Sequence, residues 1–269
     1  MADIENWFES AEYLLAWASK EAANFTAIRK VFFEKPDALT RIVEFDPDTG
    51  QYVDKVRFLN PLPMEMRGVA SNVIKNLRDA LDQTTFAATL LIRGKTSNRA
   101  HFPFGESPDD LENSLSRQKA VPCKGLPEEL FPVLRACEPY PTGDSYSGGN
   151  NTVRALGRLS GNNKHAVTLT VSGNVSNAGL MGPEIKAGPG GVSMFVPLRW
   201  DPLKNEMKLF SFPPGGYVEA NIAIALEIVF GPGPLEGHSV EDFFTVLSEE
   251  VAVIINRVKY ATAEIIANR

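Results

Sequence analysis

The sequence predicts an α+β protein: a bundle of long amphipathic helices carrying a β-hairpin insertion and an antiparallel β-sheet. Apolar residues recur every three or four positions over three long stretches, the period of one helix face. Between the first two stretches, two runs rich in β-branched and aromatic residues flank a turn-forming pentapeptide. From His165 to the last helical stretch, strand-like runs alternate with Gly-Pro loops, which separates strands from helices along the chain.

The first helix reads from Asp3 to about Phe33, with Ile4, Trp7, Phe8, Ala11, Leu14, Leu15, Ala18, Phe25, Ile28 and Phe32 on its apolar side, and ends before Pro36. Thr40–Phe45 and Gln51–Leu59 form the hairpin around Asp46-Pro47-Asp48-Thr49-Gly50. The second helix runs from Met64 to about Ile92. Arg93-Gly94-Lys95 stops it, because glycine can leave the helical conformation and cations suit the terminal carbonyls. Thr96 to Gly149 reads as loops and short helices, with Ser107 an N-cap ahead of Pro108 and a short helix over Leu126–Cys137. Asn150 or Asn151 caps a helix through Leu159 that Gly161 and Asn162-Asn163 terminate, leaving Lys164 and His165 at a helix-to-strand junction. Strands are expected at His165–Val171, Val192–Trp200, Glu206–Phe212 and Tyr217–Phe230, as an antiparallel meander. Ser239 and Asp242 then open a last helix to the C-terminus.

A chain of 269 residues suits one decorated domain over residues 1–269, with 143–149 as the boundary if there are two. With 43% hydrophobic and 22% charged residues, the composition excludes the disordered and membrane classes. A net charge of -6 disfavours nucleic acid as a partner. The N-terminus has neither a basic segment nor an apolar one, so a cytoplasmic protein with no membrane partner is expected. Cys123 and Cys137 read as reduced thiols, and the histidines lack neighbours at metal-ligand spacing, so no metal or cofactor is indicated.

Two groups of residues could carry function. On the second helix, Asn72, Asn76, Asp79 and Gln83 recur at one-turn spacing and share a face, while Arg78 and Asp82, four apart, can pair on the adjacent face. With Tyr140, these residues would line a groove for a protein partner or small ligand; the alternative is a solvated helix face. The second group is Arg158 to His165, where a cation, two amides and a histidine follow one another. Lys164 and His165 there either complement the helix dipole or move protons and hold phosphate charge.

Arg158, six intervening residues and His165 resemble the arginine-to-histidine signature of HEPN-type ribonucleases, which cleave RNA without metal. That resemblance implies His165 as general base or acid, with Lys164 or Arg158 stabilising the phosphorane. A broader likeness rests on Asn76-Leu77-Arg78-Asp79-Ala80-Leu81-Asp82, Phe102-Pro103-Phe104, Glu138-Pro139-Tyr140, and Leu156-Gly157-Arg158-Leu159 leading to Asn163-Lys164-His165. This order resembles a widespread group of bacterial proteins with no established activity, in which histidine often stands at the position of Gln83. Two readings stand: a noncatalytic binding or interaction protein, with homo-oligomerisation open, and a metal-independent ribonuclease.

Overall fold

A computed structural model describes residues 4–95, 100–116, 123, 125–165, 170–180, 186–201, 204–220 and 222–269, with the backbone alone for 4–5, 161–165, 176–180, 186 and 222. The fold is α+β, with antiparallel strand pairing. In chain order the elements are α1 (Ile4–Phe33), β1 (Leu39–Asp46), β2 (Gln51–Phe58), α2 (Met64–Arg93), α3 (Pro108–Leu115), a 3-10 turn (Glu128–Leu130), α4 (Phe131–Arg135), α5 (Asn151–His165), β3 (Val171–Leu180), β4 (Lys186–Ala187), β5 (Ser193–Met194), β6 (Trp200–Asp201), β7 (Glu206–Phe212), β8 (Val218–Glu219), β9 (Ile222–Phe230) and α6 (Val240–Ala267). No described helix is long and apolar enough to cross a membrane. The chain divides into two units, residues 1–25, 67–169 and 241–269 forming the first and residues 26–66 and 170–240 the second.

In the first unit, Phe8, Ala11, Ala18 and Phe25 of α1 are buried, and Phe25 meets Phe244 of α6 edge-on at 5.8 Å. Lys259 of α6 donates to Glu12 of α1 at 2.9 Å, so the two helices run antiparallel. Helix α2 buries Val73, Ile74, Leu77, Leu81 and Ala88, and also three threonines, Thr84, Thr85 and Thr89. A buried hydroxyl needs a partner. Thr84 and Thr89 return theirs to the carbonyls of Ala80 and Thr85, while Thr85 reaches Ala100 at 2.8 Å, outside the helix. Gly94, at φ +66, ends α2 in the left-handed conformation expected of it. Residues 143–149 lie inside this unit.

In the second unit, β1 and β2 form the expected hairpin, with Asp46 opposite Gln51 and the Gly50 amide donating to the Asp46 carbonyl. Strand β2 also pairs with β7, giving the order β1-β2-β7-β5 with β6 beside β5 along β7; β3 pairs with β9, and β4 with β8. The meander is therefore corrected, because strand partners come from distant parts of the sequence. Val56 and Phe58 give β2 a buried face, and its second edge is covered by β7 in a register that keeps that face on the core. Their cluster includes Phe32, Trp200, Met207, Leu209 and Phe210, with Phe58 against Trp200 at 4.6 Å. On the opposite face, Lys55 and Arg57 hold the carboxylate of Glu206 from both sides, and Arg57 also reaches Glu44 at 3.1 Å.

Other local expectations shift. The Val192–Trp200 run pairs only at its two ends, as β5 and β6, and Tyr217–Phe230 divides into β8 and β9. The Leu126–Cys137 helix is a 3-10 turn followed by one turn of α4. Helix α5 does not stop at Gly161 but continues through Lys164 to His165. Glycine and asparagine permit a left-handed stop without imposing one, and here the helical hydrogen bonding goes on. Of the expected His165–Val171 strand, Val171 belongs to β3, His165 to α5, and residues 166–169 lie outside the described residues.

Gly173 of β3 has no side chain because Phe58 fills the space: a Cβ there would lie 2.1 Å from Cε2 of that ring. Gly173→Ala is expected to destabilise the second unit by about 1–3 kcal/mol through overpacking. A urea titration followed by Trp200 fluorescence in a Trp7→Phe/Trp17→Phe background, which removes the two other tryptophans, checks this; an unchanged midpoint would mean that the Phe58 ring is free to move aside.

Candidate functional site

The polar residues of α2 build a site together with the segment Ala100–Ser107, all within the first unit. Asp82 is its node. Its Oδ1 accepts the Phe102 backbone N–H at 2.9 Å and lies 2.9 Å from an Arg78 Nη2, while its Oδ2 meets Arg78 Nε and His101 Nδ1, each at 3.2 Å. The one-turn spacing of Arg78 and Asp82 thus gives the expected pair. The pair is about four-fifths buried, with 16% and 20% of the side chains exposed, and its main task is to hold a strap of backbone. Arg78 donates to the Phe102 carbonyl at 3.3 Å and stacks its guanidinium 4.3 Å from the centre of the Phe104 ring.

Beyond Phe104 the strap is fixed to α5. Glu106 accepts hydrogen bonds from both Arg154 and Arg158. These contacts hold its carboxyl below the usual range: the Arg154 hydrogen bond has the largest effect and the Arg158 bond the next, outweighing burial. Its backbone N–H donates to Asp110 at 2.8 Å, and Ser107 caps α3 by accepting from the Asp110 N–H. Gly157 lets α5 approach, since a Cβ would lie 2.6 Å from Phe104 Cδ1. The Gly105 N–H donates to the Pro139 carbonyl at 3.0 Å, which adds the Glu138-Pro139-Tyr140 turn. Four segments far apart in sequence therefore meet in one place.

The remaining candidates fall around this joint. Tyr140 is buried against Tyr146, and burial, then the neighbouring Glu138 and Tyr146, raises its hydroxyl pKa. Glu138 takes φ +47, accepts the Gly149 N–H at 3.0 Å and turns the chain toward Asn150, which caps α5 through the Val153 N–H and binds Glu250 of α6. Asn76 and Asp79 are half-buried on α2 and Gln83 is exposed, a polar face next to the strap anchors. Arg158 is bonded to Glu106 and does not stand as a free cation. The side chains of Lys164 and His165 lie outside the described residues, and their backbone forms the last turn of α5. Residues 166–169, which follow them and precede β3, lie outside the described residues as well.

Cys123 and Cys137 are free and buried, and burial pushes each thiol up to about 11, so neither is a ready nucleophile. Among the described residues, no group of three or more His, Cys, Asp and Glu side chains is placed to hold a metal. The residues that sequence reasoning passed over are His101, Glu106 and Arg154. One signal was available: Arg154 and Arg158 are like charges one helical turn apart, an unfavourable pair unless a carboxylate lies between them. Comparisons with protein-family models, with curated proteins and with solved structures give no match to this chain.

Glu106 has a folded pKa depressed below its ordinary value near 4.5, so its contribution to stability is present above that value and lost as the pH falls through the folded pKa. Glu106→Gln is expected to cost about 1 kcal/mol at neutral pH, a figure kept small because the carboxylate is half exposed. Denaturation of both proteins across a pH series should show the gap closing in acid, whereas a pH-independent gap would assign the loss to packing.

Proposed function

We propose that this chain is a noncatalytic binding protein of the bacterial cytoplasm. In this reading the polar face of α2, with Asn76, Asp79 and Gln83 beside the Arg78–Asp82 pair and Tyr140 in the adjoining turn, recognises a protein partner or a small polar ligand. One observation carries it: the arginines of the site already have their counter-charges, Arg78 in Asp82, and Arg154 and Arg158 in Glu106. A site that stabilises a developing phosphate charge needs cations aimed at the reacting group. Guanidiniums committed to internal carboxylates favour a fixed scaffold instead, and the amides beside it favour recognition by neutral hydrogen bonds. Homo-oligomerisation through the same face is compatible with this reading.

The metal-independent ribonuclease remains as a second reading, and a specific observation favours it. Asp82 engages Nδ1 of His101, whose side chain is 47% exposed, leaving Nε2 available as an acid or base. In that reading His101 would work with Lys164, His165 and Arg158 on RNA.

Incubation of mixed RNA with wild type, His101→Ala and His165→Ala separates the two. Binding without catalysis predicts equal background cleavage in all three, while cleavage lost in either variant would establish the enzyme. For binding itself, a panel of neutral polar compounds screened by thermal shift should yield one that raises the wild-type Tm and leaves an Asn76→Ala/Gln83→Ala variant unmoved.

A further inference from the structure

The sheet of the second unit carries a cleft whose origin can be read from the pairing register. The Phe195 N–H donates to the Leu209 carbonyl at 3.0 Å, and Trp200 pairs with Met207. Residues 196–199 therefore stand opposite Lys208 alone and bow away from β7. The bow leaves a cavity of about 210 Å³ lined by Phe195, Pro197, Arg199, Asp201, Glu206 and Lys208.

Glu206 at its base is buried, with 2% of its side chain exposed, and both carboxylate oxygens are taken, one by Lys55 at 3.1 Å and one by Arg57 at 2.5 Å. Its charge is thus matched from beneath. Arg199 and Lys208 are exposed and have no carboxylate partner among the described residues. The Lys208 ammonium lies 5.7 Å from the centre of the Phe195 ring, which stations it over the cavity's apolar wall. The lining carries two cations and two carboxylates, and with Glu206 neutralised by Lys55 and Arg57, one carboxylate, Asp201, stands against Arg199 and Lys208.

We propose that this cleft binds a small monocarboxylate with a short apolar body. Arg199 and Lys208 receive the carboxylate through charge-assisted hydrogen bonds, and Phe195 and Pro197 cover the body. The volume falls below the range of about 300–1,000 Å³ typical of drug-sized ligands, which rules against a nucleotide. Asp201 in the lining disfavours a multiply charged phosphate, because each added negative charge is repelled by its carboxylate. The site is independent of the polar face on α2.

The test is a titration of the ¹⁵N-labelled full chain with sodium benzoate, followed through the amides of residues 195–208. Saturable shifts confined to that segment are expected. Arg199→Gln and Lys208→Gln should each weaken binding about tenfold, the effect of one lost charge-assisted hydrogen bond. Benzamide, of the same shape without the charge, should bind at least about tenfold more weakly. Both substituted side chains are exposed, and unchanged spectra elsewhere would verify the fold of each variant. Absence of saturable shifts up to about 20 mM benzoate would overturn the proposal, since binding that weak is below any specific contact of this kind. Equal affinity for benzamide, wild-type affinity in both variants, or displacement of benzoate by equimolar inorganic phosphate would overturn it too.

Discussion

The first unit depends on what one carboxylate does. Asp82 takes a backbone N–H, a histidine ring nitrogen and the fork of an arginine. Hydrogen bonds to a charged group contribute about 1.5–3 kcal/mol each when the group is withdrawn from water, and an anion so placed cannot be left unmatched. The path of Ala100–Ser107 follows. With Phe102 fixed on Asp82, Phe104 comes to rest on Arg78 and fills the space left open at Gly157. The chain then delivers Glu106 to two arginines of α5 and Ser107 to the start of α3. Four elements are positioned by a chain of contacts that begins at a single side chain.

The parts of this arrangement governed by local rules were open to a reader of the sequence. The three long helices, the Asp46–Gly50 hairpin, the Ser107 and Asn150 caps and the Gly94 stop each express a preference set by residues within a few positions. So did the Arg78–Asp82 pair, because helical spacing dictates it. What could not be read was the third partner: nothing near Asp82 in sequence announces that Phe102 will donate to it.

The same limit explains the strands. Val56 and Phe58 identify β2 as one-sided, but its partner β7 begins at Glu206, and only the assembled core selects that pairing. Lys55, Arg57, Glu44 and Glu206 look like ordinary surface charges until the register brings them together. At α5 the failure is of another kind. Gly161 and the two asparagines carry a genuine stop signal, and the helix continues regardless, so a permissive residue was taken for a decisive one. Gly157 makes the converse point, since its role lies in the Phe104 ring it admits and not in any turn.

The nesting of the two units along the chain has a consequence for synthesis. Residues 26–66 and 170–240 complete the second unit before α6 has left the ribosome, whereas the first unit lacks Phe244, Glu250 and Lys259 until then. The second unit is therefore the one whose parts are all present first, while the first closes over the longer span, from Glu12 of α1 to Lys259 of α6, and until then the apolar faces of α1 and α2 lack that partner. Between the emergence of β9 and that of α6, the strand ladders can all close while the helical faces that meet α6 are still open.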